Sequence, residues 1–175
     1  VAQPGAVRAL DLGSGWSLDK VSADGRALFT HRCDHTSIPW SVVCTFAKRD
    51  STTGAILHQF PLPAGTGQVV VAPSESELFV TTIEYGTYPL RTSVRRLDAT
   101  GAETGSILVP SPLAGATLVV HDSGQRFTVA LSNPQPPFAG MLWTVDGPGP
   151  TWTEVALVPT ISPPQLDAAA GAPVI

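Results

Sequence analysis

The sequence repeats itself about every fifty residues, and this periodicity constrains the fold more than any other feature. Three glycines are fifty positions apart, each before an apolar segment: Gly15, Gly65 and Gly115. Three aspartates recur every forty-eight positions, each after another apolar segment: Asp50, Asp98 and Asp146. Self-similarity at a fixed spacing of roughly twenty to fifty residues is typical of repeat proteins. The sequence therefore predicts three copies of one structural unit.

Each copy contains four segments that are rich in the β-branched and aromatic residues that strands favour. The predicted first and second strands are Trp16–Val21, Gln68–Ala72 and Thr117–Val120, then Arg26–Cys33, Glu77–Glu84 and Arg126–Asn133. The predicted third and fourth strands are Val42–Arg49, Thr92–Leu97 and Met141–Val145, then Ile56–Phe60, Ile107–Val109 and Val155–Val158. Each fourth strand runs into a proline, which belongs on a sheet edge because it cannot donate a ladder hydrogen bond. A four-stranded antiparallel unit with such an outer edge predicts the blade of an all-β β-propeller.

The turns of the repeat also carry a family resemblance. The stretches Ser22-Ala23-Asp24-Gly25-Arg26 and Asp98-Ala99-Thr100-Gly101 resemble the turn motifs of WD40-like propellers of bacterial secreted proteins, including TolB-type and YVTN-type repeats. We expect blade 1 at residues 15–63, blade 2 at 64–113 and blade 3 at 114–160. Residues 1–14, with a strand at Val7–Leu12, are expected to form the outer strand of a preceding blade. Residues 161–175 are expected to form a Pro/Ala-rich linker or the start of a further blade.

Three blades are fewer than the four to eight that usually close a propeller ring. We therefore expect the ring to be completed by further blades of the same polypeptide, by a second copy of this chain, or by another protein partner. The first residue is Val1 and the one methionine is Met141, so we expect either a removed leader or a piece of a longer chain. The alternative architecture is an open stack of three sheets or a β-sandwich.

Composition excludes several classes of partner. The formal net charge is −4, whereas a nucleic-acid surface needs a basic stripe. Continuous apolar runs stay well short of the roughly 20 residues of a membrane-spanning helix. The sequence therefore predicts no nucleic-acid partner and no membrane span.

The two cysteines, Cys33 and Cys44, flank a segment that is expected to join two strands. A disulfide across this hairpin is sterically plausible and would indicate an extracellular or periplasmic protein. The alternatives are two buried free thiols, or a metal site. In a metal site, strand alternation would place His31, Cys33 and His35 on one side, with Cys44 as a fourth ligand.

Other motifs point to structure rather than to catalysis. Ser17 and Lys20 have the Ser-x-x-Lys spacing of penicillin-recognising enzymes, but that chemistry needs a helix, and on a strand the two side chains should point to opposite faces. The periodic aspartates each precede a turn, where a carboxylate accepts backbone hydrogen bonds. We therefore expect no catalytic residue, no metal and no cofactor.

The candidate binding surface is formed by the loops between the second and third strands, which are long in every copy. Aromatic and arginine side chains at such a rim are the residues that binding hot spots favour. The candidates are His35, Trp40, Tyr85, Tyr88, Arg91 and Phe138. The predicted function is a non-catalytic binding or scaffolding module. The alternatives are that these side chains merely pack on neighbouring blades, or that the chain is a segment of a lactonase-like propeller hydrolase.

Overall fold

The structure is a computed structural model that describes residues 9–35, 42–84, 91–109, 115–121, 125–132, 140–147, 153–160, 165–167 and 172–174. Within these residues the chain forms fourteen β-strands. Sheet 1 contains β1 (Trp16–Val21), β2 (Ala27–His35), β3 (Val42–Asp50) and β4 (Ile56–Pro61). Sheet 2 contains β5 (Thr66–Val71), β6 (Glu77–Glu84), β7 (Arg91–Asp98) and β8 (Glu103–Leu108). Sheet 3 contains β9 (Gly115–Val120), β10 (Arg126–Ser132), β11 (Gly140–Asp146) and β12 (Thr153–Thr160). A short hairpin follows, formed by β13 (Gln165–Asp167) and β14 (Ala172–Val174).

Each four-stranded sheet is antiparallel and keeps its strands in chain order. The all-β prediction with four strands per copy is therefore confirmed for sheets 1 to 3. The largest difference lies in the fourth strand of sheet 2, which was predicted at Ile107–Val109 and spans Glu103–Leu108. Its first four residues, Glu-Thr-Gly-Ser, are not apolar, because an edge strand is held by backbone bonds and needs little burial.

The proline-marked strands lie at sheet edges, as predicted. β4 and β12 are terminal in their sheets, and they contain Pro61 and Pro159 respectively. Pro110 lies outside the described residues. Proline is tolerated here because, among the described residues, no strand pairs with the outer side of β4 or β12 and would need its missing N–H.

The three sheets pack face to face in chain order. β1 contacts β5, β5 contacts β9, and β9 contacts β13. Between sheets 1 and 2 the core contains an aromatic row in which the rings of Phe46 and Phe60 are 5.2 Å apart. Between sheets 2 and 3, the ring of Phe79 lies 5.9 Å from that of Phe127. Burying each such side chain contributes about 1.5–3 kcal/mol, so these two cores provide most of the driving force.

Sheet 2 is buried on both faces. We call the face that a sheet turns toward the preceding sheet its upstream face, and the opposite one its downstream face. On the upstream face of sheet 2, Val69, Val80 and Leu97 belong to the core shared with sheet 1. On the downstream face, Phe79 and Val94 belong to the core shared with sheet 3. Neighbours along β6 thus enter two different cores, which is the arrangement expected of a sheet covered on both sides.

Polar side chains connect the sheets where their first strands approach each other. The amide of Gln68 in β5 binds both backbone groups of Leu118 in β9, with N–O distances of 3.2 and 2.6 Å. The ammonium of Lys20 donates to the carbonyl of Ala72 at 3.1 Å. The Glu75 carboxylate accepts from the backbone N–H of Ala23 at 2.7 Å. These bonds fix the order and offset of the sheets, which apolar packing alone specifies poorly.

The two ends of the repeat array lie only partly within the described residues. Residues 9–12, the described part of the predicted strand Val7–Leu12, form no strand. Leu10 instead lies beside the β3–β4 turn, where a methyl group added at Gly54 would stand 3.4 Å from its side chain. The expectation that residues 1–14 form the outer strand of a preceding blade stays a prediction, because residues 1–8 lie outside the described residues. At the other end, the β13–β14 hairpin occupies the predicted linker or start of a further blade.

Two turn glycines with similar backbone conformations should respond differently to substitution. Gly25 and Gly101 have φ values of 71° and 89°, a region that costs other residues about 1–2 kcal/mol. A Cβ at Gly25 meets nothing within 4 Å, whereas a Cβ at Gly101 would stand 2.4 Å from the ring of Phe60 in sheet 1. We expect Gly25→Ala to lower the free energy of unfolding by about 1–2 kcal/mol and Gly101→Ala by about 2–5 kcal/mol, because overpacking adds to strain.

The measurement is urea denaturation of both variants beside the wild type. Equal losses would show that the Gly101 turn does not pack against sheet 1 in solution.

Candidate functional site

The predicted loop face lies largely outside the described residues. This is true of four of its six candidates: Trp40, Tyr85, Tyr88 and Phe138. Of the other two, His35 ends β2 and Arg91 begins β7, where it is exposed and lies opposite Glu84 in the β6–β7 register. Both positions therefore flank the loops from which the binding surface was predicted. The assignment of these six residues to a binding surface stays a prediction.

The cysteine pair forms a disulfide, which confirms the favoured interpretation. Cys33 in β2 and Cys44 in β3 lie directly opposite each other, and their sulfurs are 2.03 Å apart. The disulfide leaves neither sulfur as a thiolate, so the alternatives of free thiols and of a Cys-His metal site are wrong for this structure. The described residues contain no cluster of three or more potential metal ligands.

The periodic aspartates are turn residues, as predicted. Asp50 accepts hydrogen bonds from the backbone N–H groups of Thr52 and Thr53, and Asp98 accepts them from Thr100 and Ala102. The hydrogen bond from the backbone N–H of Thr53 is the main reason that the pKa of the Asp50 carboxyl lies below its ordinary value. The hydrogen bond from the Thr100 hydroxyl is the main reason for the lowered pKa of Asp98. A carboxylate engaged in this way is a poor proton donor or acceptor near neutral pH.

The third aspartate of this series uses a different partner. Asp146 binds the guanidinium of Arg126 at 2.7 Å, and this bond is the main cause of its lowered pKa. It also accepts a bond from the N–H of Gly147 at 3.0 Å. The repeat thus conserves an acid before the turn, while the group that neutralises it changes.

The arrangement of Ser17 and Lys20 differs from the prediction. A register shift after Leu18 makes Asp19 an extra residue in β1, so that Ser17 pairs with His31 and Lys20 with Phe29. His31 and Phe29 are two residues apart in β2, so Ser17 and Lys20 lie on the same face and not on opposite faces. Lys20 nevertheless donates to carbonyl groups of sheet 2, and no contact joins it to Ser17 among the described residues. The sequence motif therefore has no catalytic geometry.

The same β-bulge creates a charged pair that the sequence did not predict. Asp19 Oδ1 lies 2.7 Å from His31 Nδ1, and the Asp19 side chain is only 7% exposed. The second carboxylate oxygen, Oδ2, is buried without a hydrogen-bond partner. Bulges commonly redirect one side chain in this manner. The signal in the sequence was weak, because a register shift cannot be recognised from alternation alone.

Burial and pairing move the two pKa values of this pair. Burial raises the pKa of Asp19 above 3.8, and the hydrogen bond from His31 opposes that effect. The hydrogen bond to Asp19 raises the pKa of His31 above 6.5, against the effect of its partial burial. A histidine whose Nδ1 is held by a buried carboxylate has the orientation of its ring fixed by that bond.

The second candidate surface is the upstream face of sheet 1. Leu18 and Val21 are 53% and 48% exposed. Their equivalents on the upstream face of sheet 2, Val69 and Val71, are 7% and 8% exposed, and Leu118 of sheet 3 is 2% exposed. Register places Ile56, also half-exposed, on the same face as Leu18. In the described part of the chain, the same face therefore carries apolar side chains in all three sheets and is covered by a preceding sheet in two of them.

The middle of this upstream face is covered by the chain itself. Arg49 occupies the position of Leu97 in sheet 2 and of Val145 in sheet 3, and its guanidinium lies 4.3 Å from the Trp16 ring centroid. Arg32 approaches the same indole at 5.5 Å. Arg49 is buried and its Nη1 donates to the Gly54 carbonyl at 3.0 Å. The stack shields the centre of the face and leaves its aliphatic rim exposed.

Comparisons with known proteins identify the fold but no family. No protein-family model and no curated protein sequence matches the chain. A hypothetical selenium-binding protein from Sulfolobus tokodaii is similar in structure, with a TM-score of 0.59 and 11% identity over 87% of this chain and 44% of that protein. An acylaminoacyl peptidase from Pyrococcus horikoshii gives a TM-score of 0.53 and 8% identity over 82% of this chain and 25% of the peptidase. An uncharacterized protein from Listeria monocytogenes gives a TM-score of 0.52 and 14% identity over 79% of this chain and 40% of that protein.

These similarities show a β-propeller-like fold of antiparallel four-stranded sheets. The chain spans less than half of the length of each of these three structures. No helical segment in the described part of the chain reaches the length and apolar character that crossing a membrane requires.

The Asp19–His31 pair should make stability depend on pH. Because the folded protein raises the pKa of His31, protonated His31 stabilises the fold below about pH 6.5, and this contribution is lost as pH rises through the raised value. The folded protein raises the pKa of Asp19 above 3.8, so ionisation of this carboxyl costs stability as the pH rises through the acid range. We expect the wild type to lose more stability than His31→Gln between weakly acidic and weakly alkaline pH.

Urea denaturation at both pH values measures this difference, with Asp19→Asn as the matched control. That variant keeps the imidazole but should also lose the pH dependence. A wild-type profile that parallels both variants would contradict the pairing.

Proposed function

We propose that this chain supplies three consecutive blades of a WD40-like β-propeller, of the TolB or YVTN type, that serves as a non-catalytic binding or scaffolding module. The observation that carries this proposal is the repeated upstream face. Leu18, Val69 and Leu118 are equivalent by register, and two of the three are buried under the preceding sheet. In sheets 2 and 3 this face is covered by the preceding sheet. The same face of sheet 1 is therefore suited to a partner of the same kind.

The chemistry of the described residues supports binding rather than catalysis. The turn aspartates are occupied by backbone bonds, the cysteines form a disulfide, and Lys20 and Gln68 join neighbouring sheets. The side chains proposed to contact a partner are those of the loop face: His35, Trp40, Tyr85, Tyr88, Arg91 and Phe138. Aromatic and arginine side chains of this kind provide much of the energy of protein interfaces.

The ring is proposed to be completed by further blades, either from the same polypeptide or from a second copy of the chain. Two copies would supply six blades, within the range in which propellers close. The disulfide favours an oxidising compartment, so the module is proposed to act outside the cell or in a periplasm.

The alternative function is a segment of a propeller-fold hydrolase. The Asp19–His31 pair favours it, because a histidine oriented by a buried carboxylate is the arrangement that general bases use. No nucleophile hydrogen-bonds His31 among the described residues, so the remaining groups would have to come from elsewhere. Hydrolysis of 4-nitrophenyl acetate by the wild type, and its loss in His31→Gln, would favour this alternative. Equal background rates would favour the binding module.

A charge on the upstream face of sheet 1 should weaken self-association. The exposed aliphatic rim around Leu18 is expected to make the 175-residue chain associate in a concentration-dependent manner, because apolar area leaves water on contact. We expect Leu18→Glu to weaken association by about tenfold or more, since it would bury an unpaired charge in the contact. Analytical ultracentrifugation measures the effect.

Leu108→Glu is the matched control. Leu108 is equally exposed, at 53%, but it lies in the outer strand β8 of sheet 2 and therefore outside that face. It should leave association unchanged. A wild type that stays monomeric and stable at high concentration, or equal effects of both variants, would overturn the proposal that this face receives a partner.

A further inference from the structure

A small open groove lies between sheets 1 and 2, beside the turns that join β5 to β6 and β7 to β8. Its volume is about 60 Å³, and its floor consists of Phe29, Phe46, Phe60 and Leu78. These four side chains belong to the buried core, so a ligand would touch only their edges. A cavity needs about 10–15 Å³ of volume of this kind to hold one water, so the groove accepts a group of a few heavy atoms. It is apolar at the bottom and polar at the rim.

The wall contributed by sheet 1 is cationic. Lys48 in β3 and His58 in β4 are cross-strand partners and both line the groove. The Lys48 ammonium lies 5.4 Å from the centroid of the Phe29 ring. The electrostatic attraction between a cation and an aromatic face stabilises this position of the ammonium. Among the described residues no carboxylate forms an ion pair with Lys48. Its charge therefore faces the groove without a bound counter-charge.

The wall contributed by sheet 2 carries two acids that are already engaged. Glu75 accepts bonds from the N–H of Ala23 and lies 3.4 Å from the Lys20 ammonium. Glu77 forms a salt bridge with Arg96. Each acid thus has its own cation in sheet 1 or sheet 2, and neither forms an ion pair with Lys48.

We propose that this groove binds a carboxylate that carries a short aliphatic body, with the carboxylate on Lys48 and the aliphatic part on the aromatic floor. A charged hydrogen bond in a partly desolvated groove favours an anion over a neutral isostere. The size of the groove limits the aliphatic part to a few carbons. The ligand would be a free short-chain carboxylic acid or the acidic side chain of a peptide. This site lies inside a single chain and does not depend on the proposed propeller assembly.

The first test compares isobutyrate with isobutyramide, which has the same shape without the charge. Titration of the full chain is followed by NMR on the Leu78 methyl groups and the Ala99 amide, which line the groove. We expect saturable shifts with isobutyrate and at least about tenfold weaker binding of the amide. Absence of saturable shifts, or equal binding of the two, would overturn the proposal.

The second test changes the charge at the groove. We expect Lys48→Gln to weaken isobutyrate binding by about tenfold and Lys48→Arg to retain it, since the arginine keeps a donor and the charge. Arg26→Gln is the control, because it removes one positive charge from an exposed turn of the same sheet. Equal weakening by Lys48→Gln and Arg26→Gln would assign the effect to net charge and overturn the site. A folded spectrum of Lys48→Arg guards against an effect of misfolding.

The two sources are then separated with blocked peptides. Acetyl-glutamate amide is compared with acetyl-glutamine amide and with isobutyrate. Tighter binding of the glutamate peptide than of isobutyrate identifies an acidic side chain as the ligand. Tighter binding of isobutyrate identifies a free acid. The proposal fails if the glutamine peptide binds as well as the glutamate peptide.

Discussion

Face-to-face contact between sheets is the interaction on which the rest of the structure depends. Phe79 and Val80 are neighbours in β6 and both are almost fully buried, but they enter different cores on opposite faces of sheet 2. An isolated sheet of this kind would expose both apolar faces to water, which monomeric proteins avoid. Sheet 2 therefore depends on a neighbour on either side, and its stability belongs to the stack rather than to the single sheet.

Apolar stacking determines that the sheets pack, and a few polar side chains determine how they pack. Gln68 binds the backbone of Leu118, the residue fifty positions later, while Lys20 and Glu75 join sheets 1 and 2 through other atoms. The interface between sheets 1 and 2 and the interface between sheets 2 and 3 thus have the same packing geometry, but different polar side chains connect the sheets in each. Sheet 1 departs further, because Arg49 stacked on Trp16 replaces an aliphatic side chain in the middle of its upstream face.

The repeat and its turns could be predicted from the sequence because they depend on local chemistry. Strand type, the proline edges and the turn aspartates such as Asp98 follow from residues within one copy. The bulge at Asp19 could not be predicted, because it depends on how β1 pairs with β2 and changes which face Ser17 and Lys20 share. The polar start of β8 was missed for a related reason, since Glu103–Leu108 is a strand by its pairing with β7.

The contrast between the aspartates shows why the repeat reveals the fold better than the function. Asp50 and Asp98 lie in exposed turns whose donors lower their pKa, so they stay ionised and structural. Asp19 lies outside the repeated motif, in a buried bulge that raises its pKa and pairs it with His31. Two basic residues show a similar contrast. Lys48 faces the groove, whereas Arg96 forms a salt bridge with Glu77. The residues that recur in every copy are those that each sheet needs in order to fold. Chemistry specific to this chain is therefore expected at positions where the copies differ.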